Sequence, residues 1–274
     1  MLCGFGELAV AGGFGYSPAP DLVGAGLMAG LVIANWKMHG SLALIEEFSQ
    51  FWRAQSSLKD VDVVLCPPAP YLGPMHQAVA GVLLGAQNCA EQPEGAFTGE
   101  VAPKMLRECG CRYVIIGHSE RRSLYGETDA QIAVKARLTA SEGLCPVVCV
   151  GESREQREAG QQDQVVGEQL LASLVGVPCE NLVVAYEPVW AIGTGLTATP
   201  DQAEAMHGMI RNRLQAHYGA AGGKVPIIYG GSVKPENAGV LFGCENIDGA
   251  LVGGASLDAN SFWQIASAAS AGRA

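Results

Sequence analysis

Eight short apolar runs, separated by longer amphipathic stretches, constrain the fold of this chain more than any other feature. Each run is rich in β-branched residues and stops at glycine, proline or a polar side chain. Such runs are typical of parallel strands buried on both faces, and the stretches between them, such as 155–174 and 201–218, predict crossover helices. The runs cover residues 31–34, 61–66, 82–86, 113–116, 146–150, 182–185, 226–229 and 247–252.

Eight strands in strict alternation with helices are the number that a closed (β/α)8 barrel requires. We therefore predict an α/β protein with a single barrel over residues 29–274. An open doubly wound sheet is the alternative, and it usually carries G-x-G-x-x-G after its first strand. The first run here is followed instead by NWKMHG at 35–40, which favours the barrel.

Residues 1–28 differ in composition from the rest of the chain. They are rich in glycine and alanine, include two prolines and contain no lysine or arginine, which a secretory signal needs near its start. The apolar run at 22–34 is too short and too rich in glycine to predict a membrane span. We expect a loose N-terminal extension, with Met28 as a candidate start and an ordered arm as the alternative.

Composition limits the classes of partner. Hydrophobic residues make up 49% of the 274 residues and charged residues 16%, which permits a large core. The net charge of −10 argues against nucleic acid or an anionic membrane as the main partner, although local donors can still bind a small anion. The 9 cysteines have no metal-ligand spacing, so we expect free thiols in the reducing cytoplasm, with a disulfide framework as the alternative.

A carboxylate, Glu187, stands where the sixth run stops. Pro188 follows at once and cannot donate to a sheet ladder, so the chain must leave the sheet there. A glycine-rich tip from Gly193 to Gly195 comes next and can present bare N–H groups. A base on a strand end beside a closing loop is suited to chemistry that excludes water, whereas the plain alternative is a solvated turn.

Polar residues and glycines also follow other runs, where functional groups of a parallel barrel collect. Each has an ordinary explanation as a turn residue, a surface charge or a helix start. Together with Glu187 as a base, they supply a titratable electrophile, a cation and donor-rich loops. Such a combination is a poor match to chance. These residues are Asn35, Lys37, His118, Ser232, Gly253 and Gly254.

Four segments together resemble the triosephosphate isomerase family. They are ANWKM at 34–38, IGHSERR at 116–122, AYEPVWAIGTG at 185–195 and YGGSV at 229–233. They occur in the family's order and at compatible spacing, and the resemblance extends from residue 31 to the end of the chain.

The resemblance implies interconversion of dihydroxyacetone phosphate and glyceraldehyde 3-phosphate through an enediol, without a cofactor. Glu187 matches the base, and His118 matches the residue that polarises the carbonyl and shuttles protons. In that family, a standard example of histidine tuning, a helix N-terminus keeps this imidazole neutral. Lys37 and Asn35 match a cation and a neutral donor at the oxyanion and phosphate, and Glu120 matches a residue that orients Lys37 and His118. Cys149 matches a family cysteine that packs beside the base.

By the same resemblance, backbone N–H groups bind the phosphate. The matching residues are Gly193, Ser232, Gly253 and Gly254. Gly193 lies on the loop that follows Glu187 and that closes over the site in the family, called the flap below. We expect a helix to begin at Gly253 and Gly254, and a helix N-terminus favours an anion. Leu196 differs from the family, which commonly has lysine at this position. The resemblance therefore does not predict how fast the flap opens.

The loop between Gln87 and Glu100 resembles the family's intersubunit loop. The resemblance implies a homodimer in which Thr98 reaches the partner's active site, and Phe97 at the tip fits burial in a partner. A loop folded on itself is the alternative.

Two other functions compete with this interpretation. Another phosphate-binding barrel isomerase would keep Ser232 and the glycine pair without needing Asn35, Lys37, His118 and Glu187 together. A catalytically idle barrel would act as a scaffold, and it would predict damage to the base or the flap, which the sequence does not have.

Overall fold

The computed structural model describes residues 30–192 and 197–271. Eight parallel strands close into a barrel in sequence order, β1 to β8, with β8 paired to β1. This confirms the predicted barrel. The strands are β1 Gly30–Asn35, β2 Val61–Cys66, β3 Leu83–Ala86, β4 Cys111–Ile116, β5 Cys145–Val150, β6 Val183–Tyr186, β7 Ile227–Tyr229 and β8 Gly249–Val252.

Helices follow the strands and form the outer layer. In the described ranges the α-helices are α1 Leu42–Arg53, α2 Leu72–Ala78, α3 Pro103–Glu108, α4 Ser119–Tyr125, α5 Asp129–Ser141, α6 Arg154–Glu158, α7 Gln162–Ser173, α8 Pro200–Tyr218, α9 Pro235–Phe242 and α10 Ala259–Ala271. Short 3-10 helices cover Ala69–Tyr71, Val189–Ala191, Gly219–Lys224 and Gly254–Leu257. No helix of the described segments is long and apolar enough to cross a membrane.

Alternate residues of each strand pack into two different cores, as a pleated strand requires. Side chains such as Ile33, Ile115 and Val147 fill the barrel interior. Their neighbours, such as Val32 and Val148, pack outward against the helices. Because both faces are buried, the strands appear in the sequence as continuous apolar runs rather than as an alternating pattern.

Two local details follow from single glycines. A Cβ on Gly249 would lie 1.8 Å from the Leu31 carbonyl oxygen, so only glycine lets β8 close the barrel against β1. The single helix predicted over 155–174 was wrong: α6 and α7 are separate, and Gly160 between them has φ +70. Glycine adopts this left-handed conformation easily, and it commonly ends a helix there.

Candidate active site

A cavity of about 300 Å³ opens at the carboxyl ends of the strands. Predicted site residues from five loops reach it because the closed barrel brings those strand ends together. Glu120 lines a neighbouring cleft instead, and Gly193 and Leu196 are outside the described residues. The predicted residues that line the cavity are Asn35, Lys37, His118, Glu187, Ser232, Gly253 and Gly254.

Lys37 is held in place by its backbone as well as by its side chain. Its φ of 51 lies in the left-handed region, which a non-glycine residue adopts rarely and mostly at constrained sites. The Lys37 N–H donates to Oδ1 of Asn35 at 3.0 Å, and Nε2 of Gln87 donates to the Lys37 carbonyl at 2.8 Å. Its Nζ donates to Oε1 of Glu120 at 2.6 Å, so the ammonium is pinned beside the cavity.

His118 is the N-cap residue of α4, and this position sets its tautomer. Its Nδ1 accepts from the Glu120 N–H at 3.2 Å, so a neutral ring carries its proton on Nε2. That Nε2 lies 3.1 Å from Oε1 of Glu187. The ring therefore presents an N–H donor toward the cavity, and the positive end of the helix dipole lies behind it.

Glu187 is the first residue after β6 and is 1% exposed. Its carboxylate accepts from the Ser119 N–H at 2.9 Å and from the Ser119 hydroxyl at 3.1 Å. Buried Cys149 lies beside it, and burial first, then the Glu187 charge, raises the pKa of that thiol. The two bonds to Ser119 hold the carboxylate against the start of α4.

A second buried carboxylate, Glu152, lies beneath the segment that follows Glu187. Its Oε1 accepts from the Tyr186 hydroxyl at 3.0 Å, from Trp190 Nε1 at 2.8 Å and from Arg157 at 3.2 Å. Burial first, then the charge of Glu152, raises the pKa of Tyr186. Glu152 thus ties the strand that carries the base to the start of the flap.

The opposite wall of the cavity is made of backbone. Ser232, Gly253 and Gly254 line it, as does Gly231. A Cβ on Gly254 would meet no atom within 4 Å, whereas one on Gly253 would lie 3.5 Å from Cε of Lys37. A 3-10 helix over Gly254–Leu257 starts at this pair, with Gly253 as its N-cap residue.

Sequence reasoning missed three residues that support the site. No role was predicted for Ser119 or Glu152, and Gln87 was predicted only as the start of the loop. Gln87 bridges two strand ends, because its Nε2 donates to the carbonyls of Lys37 and Cys66, each at 2.8 Å. No local pattern marks these residues, since their partners are distant in sequence.

A larger cleft of about 500 Å³ adjoins the site on the other side of Lys37 and Glu120. Its rim includes Met38 and Leu124, which are 95% and 74% exposed. The loop that ends at Glu100 borders the same cleft.

Comparison with known proteins decides the family. The family model for triosephosphate isomerase matches residues 30–269. The chain belongs to the triosephosphate isomerase family. Similar relatives, each named triosephosphate isomerase, come from Alkalilimnicola ehrlichii (52% identical, covering 87% of this chain and 98% of the relative), Dechloromonas aromatica (51%, 87% and 98%) and Ralstonia nicotianae (50%, 86% and 96%).

Membership of the triosephosphate isomerase family confirms the predicted reaction, the interconversion of dihydroxyacetone phosphate and glyceraldehyde 3-phosphate in glycolysis. The matched region contains all eight strands and the whole described cavity lining. Neither the idle scaffold nor a different phosphate-binding isomerase is supported by these relatives.

Proposed function

We propose that Glu187 is the base of this isomerase and that His118 shuttles protons between the two substrate oxygens. The observation that carries the proposal is the 3.1 Å contact between Glu187 Oε1 and His118 Nε2 at the cavity wall. Glu187 removes a proton from the carbon next to the carbonyl, and the His118 N–H donates to the carbonyl oxygen as it becomes an enediol oxygen. His118 Nε2 then takes the proton of the other enediol oxygen, which becomes the new carbonyl oxygen. Glu187 returns its proton to the former carbonyl carbon, so Glu187 and His118 both regain their starting state.

Substrate binding requires Glu187 to exchange its contacts. In the described arrangement His118 Nε2 and Glu187 satisfy each other, and Ser119 binds the same carboxylate. A substrate carbonyl that takes the His118 N–H releases Glu187 to face the reacting carbons. A carboxylate with fewer donors is a stronger base, so this exchange favours proton removal.

Lys37 and Asn35 complete the electrophilic side. The Lys37 ammonium lines the cavity near His118 and stabilises negative charge that develops on the enediol oxygens. Glu120 positions both groups, because its carboxylate holds Lys37 Nζ and its backbone N–H holds His118 Nδ1. Ser232, Gly253 and Gly254 bind the phosphate through backbone N–H groups, with Gly193 added from the flap.

A coupled assay tests the reaction directly. The purified protein is given glyceraldehyde 3-phosphate, and the dihydroxyacetone phosphate that forms is reduced by an excess of a dehydrogenase while NADH absorbance is followed. We expect rapid turnover without added metal or cofactor. A folded protein with no turnover would contradict the proposal.

We also propose that the active form is a homodimer. Residues 92–100 are exposed, and Phe97 at the loop tip is 47% exposed, while the adjacent 500 Å³ cleft leads to Lys37 and Glu120. The loop of one subunit, with Thr98 near its tip, fits the cleft of the other and braces Lys37.

Phe97→Asp tests this assembly against Val240→Asp, which places the same charge on an apolar residue of α9 that is 61% exposed. Light scattering after gel filtration measures the mass. We expect Phe97→Asp to produce monomers with little turnover, while Val240→Asp stays dimeric. A monomeric wild-type protein with full turnover would overturn the dimer proposal.

Residues 29–274 are proposed as the catalytic unit, and the cytoplasm as its compartment. Each of the eight cysteines in the described ranges is a free thiol, five of them buried, which suits a reducing environment. A chain started at Met28 is expected to keep the turnover and Tm of the full chain. Loss of either would show that residues 1–28 contribute to the fold, and fractionation of the source cells tests the compartment.

A further inference from the structure

We propose that Lys234 is a specificity-determining residue, whose ammonium supplies a second positive charge at the phosphate end of the cavity. This inference rests on the proposed function of the site. Lys234 makes the enzyme prefer a phosphorylated substrate over its neutral analogue, without taking part in proton transfer.

Lys234 lines the 300 Å³ cavity together with Ser232, Gly253 and Gly254. It lies just before α9 and just after the loop that leaves β7. Its side chain is exposed to solvent, so the ammonium is hydrated rather than buried. A charge in this position attracts a dianion through a few water layers and binds it weakly on contact.

The backbone at Lys234 is fixed by one side-chain amide. Oδ1 of Asn237 accepts from the Lys234 N–H at 2.8 Å, and Nδ2 of Asn237 donates to the Ser232 carbonyl at 3.0 Å. Ser232 and Lys234, in the loop that follows β7, are therefore both hydrogen-bonded to Asn237 in the first turn of α9. The Lys234 side chain starts from a defined point beside the donors that bind the phosphate.

The charge balance of the cavity makes this lysine important. Lys37 is the other lysine in the lining, and its Nζ is paired with Glu120 at 2.6 Å. Glu187 adds a negative charge to the same wall. Within the described ranges Lys234 has no carboxylate partner within ion-pair distance, so its charge is available to an incoming anion. The net charge of the chain is −10, and a local cation opposes the repulsion that this charge exerts on a dianion.

Three variants separate this role from general effects of charge and folding. Lys234→Ala removes the charge and Lys234→Arg restores it. Lys224→Ala makes the same change in net charge, but Lys224 is an exposed residue before β7, at the other end of that strand. The assays are kcat/KM with glyceraldehyde 3-phosphate and with unphosphorylated glyceraldehyde, and calorimetric binding of inorganic phosphate.

We expect Lys234→Ala to lower kcat/KM for the phosphorylated substrate about two- to fivefold, the effect of one exposed ion pair. Phosphate binding should weaken by the same factor. The difference in phosphate affinity between the wild type and Lys234→Ala should shrink as the salt concentration is raised. Turnover of neutral glyceraldehyde should stay unchanged, Lys234→Arg should restore affinity, and Lys224→Ala should match the wild type.

Equal losses with both substrates, or wild-type phosphate binding in Lys234→Ala, would overturn the inference. So would an equal effect of Lys224→Ala, because net charge alone would then explain it. An inert wild-type protein would overturn the proposed reaction, while calorimetry with phosphate would still decide the role of Lys234.

Discussion

The two sides of the cavity are built differently. The cation side consists of Asn35, Lys37, His118 and Glu120, and every member is bonded to another member or to a backbone group. These contacts run among strand ends and the first turn of α4, which are rigid parts of the barrel. Such contacts hold donors and charges ready before a substrate arrives, as electrostatic stabilisation requires.

The base side consists of Glu187, Glu152 and Trp190. Glu187 follows β6 directly, but its carboxylate is bonded across the site to Ser119 and His118 on the cation side. Glu152 holds the 3-10 helix over Val189–Ala191 through Trp190. The backbone of this side is therefore anchored near Trp190, while the Glu187 carboxylate is bonded to residues of the other side.

This difference indicates that the two sides contribute to catalysis in different ways. The cation side is preorganised, so a change there should remove transition-state stabilisation. The proposed mechanism requires Glu187 to leave Ser119, so a change on the base side should also alter how often its carboxylate reaches the substrate. Single variants on the two sides separate these two effects.

His118→Gln should cause the largest loss among these four variants. Glutamine keeps a donor but cannot pass a proton between two oxygens, and general acid–base catalysis contributes about 10²- to 10⁴-fold. We expect kcat to fall within that range while KM changes little. His39→Gln is the control, because His39 is exposed. A His118→Gln enzyme within tenfold of wild type would rule out the shuttle.

Gly254→Val should act on substrate binding rather than on folding. A Cβ at Gly254 meets open space, so the extra side chain projects into solvent or cavity without a clash. We expect KM to rise at least about tenfold, which equals about 1.4 kcal/mol of binding free energy, with an unchanged Tm. Gly239→Val on α9, where a Cβ also meets open space, is the control. Unchanged KM would argue against the phosphate cradle.

Glu152→Gln should loosen the base side. The variant removes the charge that Arg157 and two other donors satisfy in a buried position. We expect a loss of about 1–3 kcal/mol in the free energy of unfolding, measured in urea, and a smaller decrease in kcat. Glu158→Gln breaks only the exposed pair with Arg154 and should cost far less. Equal losses in the two variants would contradict the anchoring role.

His207→Phe should have the smallest effect on catalysis but should change the pH dependence of stability. Burial lowers the pKa of His207 to about 4, and the charge of Arg211 lowers it further. The Asn246 carbonyl and the charges of Asp248 and Glu204 act in the opposite direction and raise this pKa. Above pH 6.5 the ring is neutral in both the folded and the unfolded protein.

As pH falls below 6.5, the unfolded chain binds the proton first, so stability falls until about pH 4, by about 3 kcal/mol in total. Urea unfolding at pH 7 and pH 4.5 should show this loss in the wild type and a smaller loss in His207→Phe. His217→Phe, at an exposed position, should keep the wild-type slope. Identical slopes in all three proteins would contradict a neutral buried His207.

The fold was predictable because its signal is repetitive. Each strand is buried on both faces, and apolar runs therefore mark all eight strands within a few residues of their observed bounds. The split between α6 and α7 was missed because a glycine at position 160 fits either a tolerated helix interior or a helix end. Only packing distinguishes the two.

The position of Lys37, His118 and Glu187 around one cavity was predictable, because all three closely follow strands of the barrel. Support from residues distant in sequence was not. Ser119 and Glu187 are separated by 68 positions, and Glu152 and Trp190 by 38. Closure of the barrel creates these pairs, so no local pattern can reveal them.

The assignment of Glu187 as the base is tested most directly by measuring kcat of Glu187→Asp and of the wild type with glyceraldehyde 3-phosphate. Aspartate keeps the charge but withdraws the carboxylate by about one methylene, and a misplacement of about 1 Å can cost about 100-fold in rate. We expect a loss of at least that size with little change in KM. A Glu187→Asp enzyme with near wild-type kcat would contradict the assignment of Glu187 as the base.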